Sequence, residues 1–195
     1  MIIDLLIPFI IAIPYKGYSH SKMVMSLLGC KKSPLNSIYN IWMVGSGLCI
    51  SLFGYSLFQY YKDKNFGLAT TLFVLILFYG IGDEIISGLF PLNEKKNIIT
   101  LSSRIHGIGS VTGFVALQFA PLFLGILEYK SDELILGYIS FILFILSFIT
   151  FILFIMGYNP KFNNTILALE GFWQRILCFL MYVSFMAWII QKIAV

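Results

Sequence analysis

Five long apolar stretches occupy most of this chain, and their length limits what it can fold into. A helix needs about 20 mostly apolar residues to cross a bilayer. The stretches that meet this requirement are 37–61, 66–90, 105–127, 134–158 and 169–194. We therefore predict an all-α fold, a polytopic membrane helix bundle.

A sixth apolar stretch, at 1–15, is shorter and contains Asp4, Pro8 and Pro14. At about 1.5 Å per residue it reaches about 22 Å, which is less than the roughly 30 Å thickness of the hydrocarbon core. We predict six transmembrane helices, of which the first is short or kinked. The alternative is five spans that follow a re-entrant or interfacial segment.

The composition excludes a soluble globular protein. Hydrophobic residues make up 59% of the chain and charged residues 11%, against about 45–50% and about 25% in ordinary soluble domains. With 195 residues there is no room for a separate soluble module, so we predict one integral membrane domain over 1–195. The net charge of +4 is scattered over short loops, and nucleic acid is therefore not an expected partner.

Small and polar residues mark the helix faces that should pack inward. One set follows spacings of three and four along the first long stretch: Asn40, Val44, Gly47, Ser51 and Gly54. A second set does so along the third: His106, Ser110, Gly113 and Leu117. Small residues at this spacing let helices approach closely in lipid. The fourth long stretch, rich in Phe, Ile and Leu, should be the most exposed to lipid.

Six ionisable residues lie within or beside the long stretches, all towards the same membrane surface. If the chain crosses back and forth, the end of the second stretch and the starts of the third and fifth lie on one side. An ionisable group in hydrocarbon costs several kcal/mol unless it has a partner or water. We therefore expect a polar pocket there, and its candidate ligand-binding residues, together with Asn40, are Asp83, Glu84, Arg104, His106, Glu170 and Arg175.

Asp83 and Glu84 have a functional and a structural interpretation. Adjacent helical positions point about 100° apart, so both carboxylates cannot face one partner unless the helix unwinds there. In the functional interpretation, Asp83, Glu84 and His106 are candidate catalytic acids, bases or metal ligands. In the structural one, the carboxylates form buried ion pairs with Arg104, Arg175 or protonated His106.

The two histidines raise the question of a metal site. His20, His106 and Asp83 are the candidates for a tetrahedral zinc site, but no pair of them has a spacing characteristic of metal ligands. We therefore predict no metal, and no cofactor is evident.

Several short blocks follow one another in a distinctive order. They are GYS at 17–19, SLLG at 26–29, GIGD at 80–83, GLFP at 88–91, RIHG at 104–107 and EGFWQR at 170–175. In order and spacing, and with Asn40, they resemble the bacterial membrane-protein family called domain of unknown function 998. The resemblance implies a six-helix membrane protein whose shared polar residues gather at one face, and it implies no established activity. Leu27 and Gln174 depart from the family pattern, which often has ionisable residues there.

Three functions are compatible with these features. The first is binding or sensing, in which a membrane lipid head group or small amphiphile occupies the pocket and Arg104 or Arg175 grips an anionic head. The second is an enzyme that acts on a lipid, and the third is a structural or assembly role. We favour binding, because no motif specifies a nucleophile or a metal. A multi-pass protein of the cell membrane is expected, with its orientation and oligomeric state open.

Overall fold

Helices make up the regular structure of the computed structural model, which describes residues 1–94 and 98–194. Apart from short 3₁₀ helices in the connections, this part of the chain forms six helices: α1 (Ile2–Ala12), α2 (Asn36–Tyr61), α3 (Phe66–Leu89), α4 (Leu101–Tyr129), α5 (Leu134–Gly157) and α6 (Glu170–Ala194). Helices α2 to α6 are each long and apolar enough to cross a membrane. The predicted all-α membrane bundle, with a short first helix, is confirmed.

Helix α4 begins at Leu101, earlier than the predicted residue 105. The Thr100 side chain accepts a hydrogen bond from the Ser103 backbone N–H, and the Ser103 hydroxyl accepts one from the Thr100 N–H. This reciprocal capping satisfies two backbone donors that a helix start leaves without partners. The apolar pattern did not reveal it, because the extra turn lies outside the apolar stretch.

The helices form a ring in which each one packs against its neighbours in sequence. Helix α1 contacts both α2 and α6, which closes the ring, and α4 also contacts α6. Side chains that are almost fully buried fill the interior, among them Leu57, Ile76, Leu117 and Leu177. Helix α5, predicted to be the most exposed to lipid, is the least buried of the five long helices.

Glycines bring α3 close to the helices on both sides of it. Gly47 on α2 faces the carbonyl of Gly80, and a Cβ added to Gly82 would lie 2.7 Å from the carbonyl oxygen of Gly109 on α4. A Cβ at Gly113 would lie 2.7 Å from the Asp83 backbone nitrogen. The two inward-facing stripes predicted from sequence therefore pack against the part of α3 that carries the adjacent carboxylates.

Three connections lie on one face of the bundle, which we call the loop face: 13–35, the α3–α4 connection and 158–169. The first two contact each other through an ion pair of Lys32 with Glu94 at 2.5 Å, and the Phe172 N–H at the start of α6 donates to Ser21 O in the first at 3.0 Å. The opposite face carries the short connections 62–65 and 130–133, where Lys192 lies 3.0 Å from Glu133.

Candidate functional site

The adjacent carboxylates lie in a segment of α3 with π-helical geometry, Tyr79–Ile86. Such segments are rare and widen one turn of a helix, often at functional sites. Asp83 and Glu84 are both buried, and both line a cavity of about 30 Å³, which we call the small cavity. The departure from α-helical geometry thus allows two neighbouring residues to reach one region, as the sequence argument required.

Asp83 is held by α4. The Ser110 hydroxyl donates to Asp83 Oδ1 at 2.5 Å, and the absence of a side chain at Gly113 lets the two helices come close enough for this contact. Hydrogen bonds between helices are a main source of association energy in lipid. Asp83 therefore joins α3 to α4 through a hydroxyl.

Glu84 begins a chain of hydrogen bonds that crosses the bundle. Its Oε1 lies 2.8 Å from the Tyr79 hydroxyl, which lies 2.7 Å from the hydroxyl of Tyr182 on α6. The Tyr182 hydroxyl in turn lies 2.8 Å from Asp4 Oδ2 on α1. We call these four side chains the acid–tyrosine chain.

Both carboxyl oxygens of Asp4 accept hydrogen bonds. Besides Tyr182, its Oδ1 accepts hydrogen bonds from Trp42 Nε1 at 3.0 Å and from the Ser46 hydroxyl at 2.9 Å. By contrast, Glu84 Oε2 is buried and has no hydrogen-bond partner among the described atoms. The two ends of the acid–tyrosine chain therefore differ: one is surrounded by donors and the other is half-satisfied.

A second cavity, of about 570 Å³, adjoins the small one, and we call it the large cavity. Ser26, Phe114 and Gln174 line both cavities. Aliphatic and aromatic side chains form most of the large cavity's wall, including Val111, Phe151, Phe154 and Ile155. A largely apolar cavity thus lies next to a small one that is lined by three carboxyl groups.

Arg104 and His106 both line the large cavity near the start of α4. Arg104 is exposed, whereas His106 is buried and its Nδ1–H donates to the Phe90 carbonyl at 3.1 Å. Ser110, one turn further along α4, also lines this cavity. Its bond to Asp83 makes Ser110 the link between the large cavity and the acidic groups.

Arg175 holds the first loop rather than a carboxylate. Its guanidinium donates to the carbonyls of His20 at 2.6 Å and Gly171 at 2.8 Å, and to the Tyr18 hydroxyl at 2.9 Å. It also lies 3.2 Å from His20 Nδ1. A guanidinium has five donors in a planar fork, and Arg175 uses those on its two terminal nitrogens to fix loop 13–35 over the start of α6.

The predicted ion pairs do not form within the described part of the chain. Asp83 is bound to Ser110 and Glu84 to Tyr79, whereas Arg175 is bound to loop carbonyls and His106 to Phe90. Hydroxyl groups, which are cheaper to bury than charges, replace the expected cations. The structural interpretation of the carboxylates as partners of arginine or histidine is therefore wrong.

The remaining predicted residues lie outside both cavities. Asn40 donates from Nδ2 to Gly29 O at 3.2 Å and ties the short 3₁₀ helix Met25–Gly29 to α2. Glu170 is buried at the start of α6, next to Gly157.

The metal candidates do not converge. Among the residues that the structure describes, no group of three or more His, Cys, Asp or Glu side chains is placed to hold a metal ion. His20 lies against Arg175, while His106 and Asp83 are bound to Phe90 and Ser110.

Comparison with known proteins gives one result. Residues 1–191 match the model of a family described as protein of unknown function (DUF998). The chain belongs to this family. No significant match to a curated protein or to a solved structure was found. Since the DUF998 description names no activity, the function has to be argued from the geometry of the site.

Sequence reasoning missed Asp4, Tyr79 and Tyr182 as members of the polar cluster. The rule that singled out Asp83 applies equally to Asp4, an acid within an apolar stretch. The two tyrosines had no such signal, because a tyrosine in a membrane helix is common and its hydroxyl partner depends on how the helices are arranged.

Proposed function

We propose that this protein binds an amphiphile with an apolar chain and an anionic head, with the chain in the large cavity. The observation that carries the proposal is the size and lining of that cavity. Its volume of about 570 Å³ falls within the range of about 300–1,000 Å³ typical of small-molecule sites, which are mostly apolar with a few polar groups. A protein of the cell membrane would meet such ligands in its own bilayer.

Arg104 is the residue that would hold the head. It is exposed at the start of α4 and lines the cavity, and a guanidinium binds carboxylates and phosphates through paired hydrogen bonds. Ser103, Asn93 and His106 line the same cavity and supply further polar groups. Arg175, which the sequence also suggested for this role, is occupied by loop 13–35.

Gly107 offers a direct test of the cavity. It lines the large cavity, and a Cβ added there would meet no atom within 4 Å. We expect Gly107→Leu to occupy the cavity without disturbing the fold, and to weaken binding of a fluorescent fatty acid or lysophospholipid about tenfold or more, measured by titration of the purified protein in detergent.

Gly45→Leu is the matched control, because Gly45 also lies on a long helix with no atom within 4 Å of an added Cβ but does not line the large cavity. We expect it to bind the probe as the wild type does. Arg104→Gln should weaken binding of the anionic probe more than that of its neutral methyl ester. Equal binding by the wild type and Gly107→Leu would exclude the large cavity as the site.

A further inference from the structure

The acid–tyrosine chain contains more hydrogen-bonded contacts than its tyrosines have protons. Four oxygens stand in a row, from Glu84 Oε1 through the hydroxyls of Tyr79 and Tyr182 to Asp4 Oδ2, at successive separations of 2.8, 2.7 and 2.8 Å. Each of the three contacts needs one hydrogen between its oxygens. The two phenols carry one hydrogen each, so one contact is left without a hydrogen.

If no hydrogen lay between the two buried phenol oxygens, which are 2.7 Å apart, they would repel each other. We call such a contact bare. If Tyr79 donates to Glu84 and Tyr182 donates to Asp4, both phenol hydrogens point outward and the Tyr79–Tyr182 contact is the bare one. A carboxylic acid at either end supplies the missing hydrogen, because it can donate to the nearest phenol.

From this count we infer that the acid–tyrosine chain is a proton-binding site, in which Asp4 and Glu84 share one acidic proton through Tyr79 and Tyr182. The inference concerns a ligand, the proton, and does not depend on the binding of an amphiphile in the large cavity.

The surroundings place the resting proton on Glu84. Asp4 has three donors, namely Tyr182, Trp42 and Ser46, which stabilise its ionised form. Glu84 Oε2 is buried with no partner among the described atoms, and leaving an ionised oxygen in that condition costs more than leaving a neutral one. Glu84 therefore donates to Tyr79, Tyr79 to Tyr182, and Tyr182 to the Asp4 carboxylate.

The site can exchange its proton between the two ends. If Asp4 takes the Tyr182 proton, Tyr182 the Tyr79 proton and Tyr79 the Glu84 proton, Asp4 becomes neutral and Glu84 ionised. Both tyrosines are neutral before and after the shift, and the net charge is unchanged. In each of the three contacts the donor and acceptor oxygens exchange roles, and no hydrogen bond is lost.

Repulsion between the clustered carboxyl groups favours retention of the proton, whereas the positive charge of the Met1 amino group opposes it. The ionisable groups that act on this network from the surrounding helices are Asp83 on α3, Tyr39 on α2, Cys178 on α6 and the Met1 amino group on α1. Helix α4 contributes Ser110, bound to Asp83. Asp4, Asp83 and Glu84 all line the small cavity, and negative charges placed together there would repel one another.

Infrared spectroscopy tests the inference, because the carbonyl stretch of a protonated carboxyl group lies above the amide I band and shifts in D₂O. In Glu84→Gln, the amide N–H donates to Tyr79 and replaces the acidic proton. In Asp4→Asn, the amide donates to Tyr182 and the chain runs in the opposite direction to an ionised Glu84. Both variants keep three hydrogens for three contacts, so both should fold.

We expect the losses of carboxyl infrared intensity in the two single variants not to add in the double variant. Glu84→Gln and Asp4→Asn should each lose the intensity of one protonated carboxyl group at neutral pH, and the double variant should lose no more than either single one. Glu128→Gln removes a buried carboxyl group bound to Ser140, outside the chain, and should retain the component that Glu84→Gln loses.

Two results would overturn the inference that Asp4 and Glu84 share one proton. One is that both single variants keep the full wild-type intensity; the other is that their losses add in the double variant, which would mean that each carboxyl group has its own proton. The wild type provides a check that needs no substitution, since a spectrum without any D₂O-sensitive carboxyl band would also exclude the proton.

Discussion

At the scale of single residues, the contact between Arg175 and His20 shows how the first loop depends on a neutral imidazole. Arg175 Nη2 lies 3.2 Å from His20 Nδ1, and because a guanidinium can only donate, the imidazole must accept through Nδ1. Desolvation by burial, and then the charge of Arg175, lower the pKa of His20 below its usual value. Protonation of His20 removes the acceptor and places two cations together.

This contact predicts that stability falls in acid. The unfolded chain binds a proton at His20 near pH 6.5, its ordinary pKa, whereas the folded protein binds it only at lower pH. In this window the unfolded state carries more protons, so stability is full above the unfolded pKa and is lost as the pH falls through the folded one. We expect the thermal midpoint of the purified protein to decrease from about pH 7.5 to about pH 5.

His20→Asn is the control, because its amide oxygen can accept from Arg175 and does not titrate. The decrease in thermal midpoint should be smaller in this variant. An identical decrease in both proteins would assign the acid sensitivity to other groups.

Composition made several residues conspicuous before their positions were known. Asp83, Glu84, Arg104 and His106 stood out as ionisable groups next to apolar stretches, and all four line one of the two adjoining cavities. Their partners did not follow from the sequence. Arg175 was expected to meet a carboxylate and instead binds loop carbonyls, because those carbonyls lie in a loop whose path over α6 no apolar pattern encodes.

At the scale of helices, the site depends on how closely α3 approaches α4. A Cβ at Gly109 would lie 2.5 Å from the carbonyl oxygen of Gly82, a backbone atom that cannot move aside as a side chain can. The same α4 carries Gly107, where an added Cβ would meet nothing within 4 Å. Of these two glycines, half a turn apart on one helix, Gly109 has no room for a side chain and Gly107 has room.

We expect Gly109→Ala to destabilise the protein by about 1–3 kcal/mol, the usual cost of overpacking. Gly107→Ala should be neutral or stabilising by up to about 1 kcal/mol, because alanine favours a helix over glycine. Thermal unfolding in detergent compares the two variants, and equal effects of the same sign would show that α3 and α4 do not pack as described.

The helices themselves were largely predictable, because a span of the membrane needs a long apolar segment. The start of α4 was missed because a capping pair, Thr100 and Ser103, sets it. The π-helical segment Tyr79–Ile86 was not predicted outright. The sequence showed only that the helix must depart from α-helical geometry there if two adjacent carboxylates are to reach one cavity. The contact of α1 with α6, which brings Asp4 to Tyr182, depends on ring closure and left no periodic signal in the sequence.

At the scale of the whole molecule, the ring places alternate connections on opposite faces. Lys16 and Asn163 are exposed on the loop face, and Asp63 and Lys130 are exposed on the other. Single cysteines at these four positions, in a Cys49→Ser background that removes the one exposed native thiol among three, should divide into two pairs. We expect a membrane-impermeant maleimide added to sealed cells to label one pair and not the other.

The pair that reacts also gives the orientation, which the basic residues of the loops leave open. Labelling after the membrane is permeabilised serves as the control, since all four cysteines should then react. Labelling of one member of each pair in sealed cells would contradict the antiparallel ring.

The indole of Trp42 donates to Asp4 at 3.0 Å, so its fluorescence can report the protonation of the acid–tyrosine chain. Only three tryptophans occur in the sequence, so Trp173→Phe and Trp188→Phe together would leave Trp42 as the sole indole emitter. The electric field at that ring changes when the neighbouring carboxyl group gains or loses its charge. Emission from Trp42 would therefore follow events at the centre of the bundle in real time, without an attached dye.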